Sequence, residues 1–282
     1  MTRPVIRIVT DSNSQIPPDL AERLGIVVVP LTVTIDGVAH QEGVDIDADA
    51  FYARFESGAP QVSTSQPSPG TFAAAYQALA VEGAEAIVSV HIGSALSGTV
   101  NSARLAADGS PVPVRIVDTG TASFGITFCA WEAADAAAAG ATLDEVVAAA
   151  ERVSGLVGNV FVVAALDLAR AGGRLVEDEA GPPTGAIPVL TLAGGAMRTV
   201  GQATDVEQAA KTMAEHVRSS GTSLRVGVSV ADAGTLPLVE ALEALLGDAP
   251  EVREIIRYRV GPSVGAHTGP GAAGAMFYPA LA

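Results

Sequence analysis

The sequence predicts an α/β protein of two domains: an N-terminal parallel sheet with helices on both faces, then a C-terminal mixed α+β domain. Three observations carry this. The chain has 282 residues, more than the about 100–200 residues of one ordinary domain. Its first half alternates short β-rich runs with helical runs, as strands joined by crossover helices do. Beyond Gly158 the pattern changes to strands joined by a hairpin and two helices, so the boundary is set at residue 158, giving domains 1–158 and 159–282.

Taken in order, Val5 to Thr10 reads as a strand and Pro17 to Leu24 as a short helix closed by Gly25, with Pro18 tolerated in the first turn. Ile26 to Ile35 is a second extended run. Ser68 caps a helix that has Pro69 at its first position and runs through Leu79. Ala86 to Ile92 is continuously apolar enough for a buried strand, and Ser97 then caps a helix to about Ala107. Val114 to Val117 is the next strand, followed by an Ala-rich helix ending near Gly140. Thr142 and Glu145 have the spacing of a capping box. In the second half, Val160 to Leu166 reads as a strand and Asp167 to Ala171 as a short helix. Pro188 to Leu192 and Met197 to Val200 flank Gly194-Gly195 as a hairpin. Helices at about Val206 to Arg218 and Leu236 to Leu246 separate strands at Arg225 to Val230 and Glu254 to Val260.

Composition excludes several functions. A net charge of −15 argues against nucleic acid and anionic membrane surfaces, both of which reward Lys and Arg. Lys211 is the single lysine beside fifteen arginines; it follows no glycine loop, and neither a phosphate loop nor G-x-G-x-x-G after a strand exists. Mean hydropathy is +0.37, yet no apolar run reaches the roughly 18 residues of a membrane span. The opening MTRPVIRIVTD reaches a strand and a polar turn too soon for a signal peptide. With Cys129 as its one cysteine, the chain has no disulfide framework, so a reducing, cytoplasmic location is expected. His40, His91, His216 and His267 are isolated in sequence, without metal-site spacing.

Polar turns cluster where strands should end: Asp11 to Ser14, Gly93 to Thr99 and Asp118 to Thr121. In open parallel sheets ligands sit beyond the carboxyl ends of strands, and Ser97 at a helix N-terminus suits a carboxylate. Each turn, taken alone, also reads as simple helix capping. In Ser63 to Gly70, three hydroxyls and an amide precede Pro67 and Pro69, which stiffen the backbone, and the segment carries no charge.

The order TDS, TSQPSPGTF, HIGSALSGT, RAGGRL and AHTGPGA, running from Asp11 to Gly271, resembles the DegV family of bacterial fatty-acid-binding proteins. The resemblance implies two α/β domains with one acyl chain bound at or near their interface, and no cofactor beyond that ligand. It implies a carrier that is not an enzyme and presents the acyl group to a separate ATP-dependent fatty acid kinase. It implies that Thr64 and Ser97 hydrogen-bond the carboxyl group. Ser65, Gly98, Thr99, Arg174, His267 and Thr268 would lie at the edge of the site, where phosphate arrives or the kinase docks. The sequence departs from the pattern at Val100, where an aromatic is usual, at Arg170-Ala171, where a basic pair is usual, and at Asp118-Thr119, where Asp-Ser is usual.

A tail of a dozen buried methylenes contributes about 10 kcal/mol gross, so the head group needs only hydrogen bonds. Neutral hydroxyls avoid burying a countercharge. The rival from another class is a serine acyl hydrolase with Ser97, His267 and Asp11 or Asp118 as its triad. It lacks the G-x-S-x-G elbow, since Gly227-Val-Ser229-Val-Ala231 falls in a strand. A lipid sensor without a carrier role is the third reading.

Overall fold

The computed structural model describes residues 4–164, 186–193 and 196–280. The chain divides into two compact units. One is Met1–Ile46 with Gln61–Leu156; the other is Asp47–Pro60 with Val157–Ala282.

In the first unit, β1 (Ile6–Asp11), β2 (Ile26–Val29), β6 (Ala86–His91) and β7 (Val114–Asp118) form a four-stranded sheet in the order β2-β1-β6-β7, with every neighbouring pair parallel. Both central strands are buried along most of their length, as strands covered on two faces must be. On one face α3 (Pro69–Val81) and α4 (Thr99–Ala107) bring Phe72, Tyr76, Leu79, Ala103 and Ala106 onto Val9, Val29 and Ile87. On the other, α5 (Phe124–Ala138) and α6 (Leu143–Ser154) pack against β1, β6 and β7 without sharing that cluster. The expected helices on both faces are therefore present. So is the capping box: the Thr142 hydroxyl accepts from Glu145 N–H while the Glu145 carboxylate accepts from Thr142 N–H.

The extended run from Ile26 to Ile35 is two strands. Pro30 lies between them and lacks a donor for ladder pairing. The second piece, β3 (Thr32–Ile35), leaves the parallel sheet and joins β4 (Val38–Gln41) and β5 (Val62–Ser65) in a small antiparallel sheet ordered β4-β3-β5. The hydroxyl-rich segment thus begins on a strand before the prolines turn it into α3.

In the second unit, β8 (Gly158–Val162), β9 (Ile187–Ala193), β10 (Ala196–Ala203), β11 (Leu224–Val230), β12 (Val252–Arg259) and β13 (Ala273–Pro279) form a mixed sheet ordered β10-β9-β8-β13-β11-β12. Only β11 and β12 run parallel. Strands β9 and β10 pair antiparallel as the predicted hairpin; its turn residues Gly194 and Gly195, like the predicted helix at 167–171, lie outside the described residues. Helices α7 (Val206–Arg218) and α8 (Leu236–Gly247) bury Met213, Val217, Leu242 and Leu246 against Val160, Val226 and Phe277. The sequence reading missed β13, which opens on Ala, Gly, Ala and Met, has no β-branched residue and ends at Pro279, with only Phe277 and Tyr278 as strand formers. It also missed α2 (Ala48–Glu56), although Asp47 caps it by accepting from Ala50 N–H, and α9 (Pro262–Thr268). Among the described residues no helix is long and apolar enough to cross a membrane.

Candidate functional site at the strand ends of the first sheet

The carboxyl ends of β1, β6 and β7 each open into a polar turn, and hydrogen bonds tie these turns together. Gly93 N–H donates to Thr121 O at 2.8 Å, and Ser94 N–H donates to the Asp118 carboxylate at 3.0 Å. A Cβ on Gly93 would lie 2.8 Å from the Gly120 backbone, so only glycine permits this approach. Asp118 is held below its ordinary pKa. Partial burial pushes it up, but bonds from Ser94 and Gly120 and the Arg104 charge outweigh that. The turn after β1 is buried from Asp11 to Gln15. Ser12 Oγ donates to Glu42 at 2.5 Å and accepts from Leu31 N–H at 2.9 Å. The buried Ser14 hydroxyl finds no hydrogen-bond partner among the described residues.

Ser97 does not cap α4 as its sequence position suggests. Gly98 is the cap residue, with no side-chain bond, and Ser97 stands one residue earlier. Its hydroxyl, half-buried, bonds Thr99 Oγ1 at 2.9 Å and accepts from Thr99 N–H at 3.3 Å. Its own N–H is fixed by Gly93 O at 3.1 Å. Thr99 is fully buried and Gly98 exposed.

Thr64 lies on β5, opposite Val33 of β3. Along β5 Val62 and Thr64 are half-buried while Ser63 and Ser65 are exposed, so the strand's alternation turns Thr64 inward and Ser65 outward. The decisive contact follows immediately. A Cβ on Gly98 would lie 2.8 Å from the Gln66 side-chain nitrogen. The two hydroxyl-bearing segments therefore pack against each other, two residues after Thr64 and one after Ser97. A second tie lies deeper, where Phe72 of α3 stands edge-on to His91 of β6 with ring centroids 4.9 Å apart.

His267 and Thr268 belong to the second unit, where His267 occupies the last turn of α9 rather than the free turn its Gly-Pro-Gly context suggests. Thr268 Oγ1 donates to Val264 O at 3.3 Å. Beyond them Gly269 and Gly271 have φ of 71° and 77°, values glycine adopts without strain. Gly271 N–H donates to Asp232 at 2.6 Å. Arg174, with Arg170 and Ala171, lies outside the described residues.

The carboxylates required by a hydrolase triad are engaged elsewhere. Asp11 Oδ2 bonds His91 Nδ1 at 2.9 Å, and Asp118 accepts from Ser94 and Gly120 N–H groups. Cys129 is fully buried in α5, and burial pushes its thiol up to about 12, far from a nucleophile's range. Among the described residues no three His, Cys, Asp or Glu side chains converge as metal ligands would.

The family model described as uncharacterised protein, DegV family, matches residues 5–280. The chain belongs to the DegV family. A DegV domain-containing protein of Streptomyces coelicolor is 36% identical over 274 residues, covering 96% of this chain and 97% of that protein. One of Deinococcus radiodurans is 37% identical over 279 residues, covering 97% and 98%. Among solved structures, a DegV family protein from Thermus thermophilus described for its fatty acid binding matches with a TM-score of 0.86 and 33% identity, over 99% of this chain and 100% of that one. A hypothetical protein from Thermotoga maritima, described as revealing fatty acid binding function, matches at 0.84 and 28% identity, over 98% and 100%.

Proposed function

We propose that this DegV protein binds one long-chain fatty acid, its carboxyl group accepting hydrogen bonds from Thr64 and Ser97, and presents it to a separate fatty acid kinase for acyl-phosphate formation. The observation that carries the reading is the packing of Gln66 against Gly98, which brings two uncharged hydroxyl segments together at the carboxyl edge of a parallel sheet. Fatty acid binding by the similar Thermus and Thermotoga proteins supports the ligand class. Hydroxyl donors suit a ligand whose affinity comes from its tail, at about 0.8 kcal/mol per buried methylene. Ser65, Gly98, Thr99 and Thr268 form the site's edge in this reading, and Arg174 and His267 serve phosphate transfer or kinase docking, with no chemistry performed by the chain itself. Its setting is the cytoplasm.

Organic extraction of the purified protein followed by mass spectrometry tests the ligand. A stoichiometric C16–C18 acid is the expected result for the long-chain class. No acyl lipid, together with no uptake of added palmitate or oleate, rejects the reading. The carrier role is tested by adding kinase and ATP. Acyl phosphate should form only with both proteins present, and Arg174→Ala and His267→Ala should abolish it while keeping acid binding. Ester hydrolysis by the chain alone, lost in Ser97→Ala, would establish the hydrolase instead.

A further inference from the structure

Directly beneath the loop that carries Ser97 lies a chain of buried polar side chains that the proposed site does not use. Asp11 Oδ2 bonds His91 Nδ1 at 2.9 Å, His91 Nε2 bonds Ser89 Oγ at 2.7 Å, and Ser89 Oγ bonds Tyr76 OH at 2.9 Å. All four residues are fully buried. Tyr76 is pushed up to about 12 by burial, partly offset by its Ser89 bond, so it is a phenol donor at neutral pH. The three bonds run through shared hydroxyl and imidazole groups, so each polarises the next. An Asp–His–Ser sequence this deep offers no access to a substrate, so its role is mechanical.

Its far end reaches the loop. Asp11 Oδ2 also accepts from Ile92 N–H at 3.1 Å, and Oδ1 accepts from Asn13 N–H at 3.0 Å. Ile92 precedes Gly93, whose carbonyl accepts from both Leu96 and Ser97 N–H groups. His91 adds two further ties: its carbonyl accepts from Thr119 Oγ1 at 2.8 Å, and its ring meets Phe72 of the α3 segment. Three strand-end turns and the hydroxyl-rich segment's helix thus all meet at the Asp11–His91 pair, through side chain or backbone.

We infer that His91, oriented by Asp11, is a positioning residue that sets the Ser97 loop and thereby the site's preference for a carboxylic acid over an uncharged head group. The inference rests on the proposed carboxyl site and deepens it. If the relay were only structural, its loss would weaken every ligand of the same tail alike. A positioning role weakens the acid selectively.

The experiment compares palmitic acid with 1-hexadecanol, equal in tail length, on the full chain. Wild type should prefer the acid. Asp11→Asn and His91→Phe should cut the acid-to-alcohol affinity ratio by about tenfold, with alcohol affinity nearly unchanged, as expected when a charge-accepting hydrogen bond is misplaced. Tyr76→Phe removes only the outermost hydroxyl and should give a smaller cut in the same direction; it is the variant to read if the other two fail to fold. In wild type, 15N resonances of the His91 imidazole should move with palmitate and stay fixed with hexadecanol. Ser97→Ala separates the two readings. If it leaves the ratio at the wild-type value, the carboxyl site itself is misplaced. If it lowers the ratio while every folded relay variant keeps it and the imidazole resonances ignore palmitate, the positioning role is overturned.

Discussion

At the carboxyl edge of the first sheet the buried side chains include Asp11, Asn13, Ser14, Glu42, His91 and Thr119; among the described residues of the second unit the buried polar side chains are Arg225, Ser229, Thr235 and Ser263. Burying a polar group costs free energy unless it is hydrogen-bonded, so a fold keeps such groups inside chiefly where their placement matters. In the first unit they collect at strand ends, the position where parallel sheets hold ligands. They are knitted by side-chain bonds such as Ser12 to Glu42 and Asn13 to Ser123 N–H. The second unit spends its interior on packing, with Met213, Leu242, Leu246 and Phe277 filling the space between helices and sheet. One half of the chain is built around positions and the other around volume.

Substitutions that probe volume and position should therefore behave differently. The largest stability loss is expected from Gly274→Ala, whose Cβ would press on the Val160 carbonyl and sit 2.7 Å from Phe161 Cβ. Backbone cannot yield as a flexible side chain can, and a cost of about 1–3 kcal/mol is expected. Calorimetry reads it, and a melting temperature equal to wild type would show that the second sheet is not packed as described.

Position should dominate in the first unit. Thr64→Val and Ser97→Ala are each expected to weaken fatty acid binding by about 1–3 kcal/mol while thermal melts of the lipid-free forms match wild type. Wild-type affinity in both would break the comparison.

Gly98→Ala sharpens it. Its Cβ would meet the end of the Gln66 side chain, 2.8 Å away, which can swing aside. Stability should change by no more than about 0.5 kcal/mol, whereas palmitate affinity should fall several-fold because the displaced Gln66 no longer packs the two segments together. A large stability loss with intact binding would reverse the assignment.

The smallest effect concerns pH. Because the Asp118 pKa is lowered, its contribution is present above the ordinary carboxylate value of about 3.9 and is lost as pH falls through the lowered value. Stability from neutral pH down to about 5 should therefore be insensitive to Asp118→Asn in its pH slope. The slopes of the two proteins should part only in stronger acid.

The parallel sheet, its covering helices and the hairpin of the second sheet were legible because they rest on local signals. Pro69 after Ser68, the Thr142–Glu145 box and the continuous apolar run of β6 each act within a few residues. What escaped depends on distant partners. Strand β13 is defined by its neighbours β8 and β11 rather than by its own sequence, which has no β-branched residue. The small sheet exists because β3 turns away at Pro30 to pair with β4 and β5. Thr64 and Ser97 stood out as hydroxyls in unusual turns, and the resemblance assigned their role. The His91–Asp11 pair did not, because eighty positions separate the partners and an isolated histidine in a strand carries no spacing to read. Asp11 in its turn after a strand, and His91 at the end of one, were the only available signals.

The central claim is that uncharged hydroxyls on two packed loops hold the acyl carboxyl group. It is tested most directly by the 13C resonance of bound [1-13C]palmitate. A single bound signal displaced from free palmitate is expected, shifting further in both Thr64→Val and Ser97→Ala and staying in place in Thr142→Ala, which loses only a helix cap. A carboxyl resonance identical in wild type and all three variants would contradict the account.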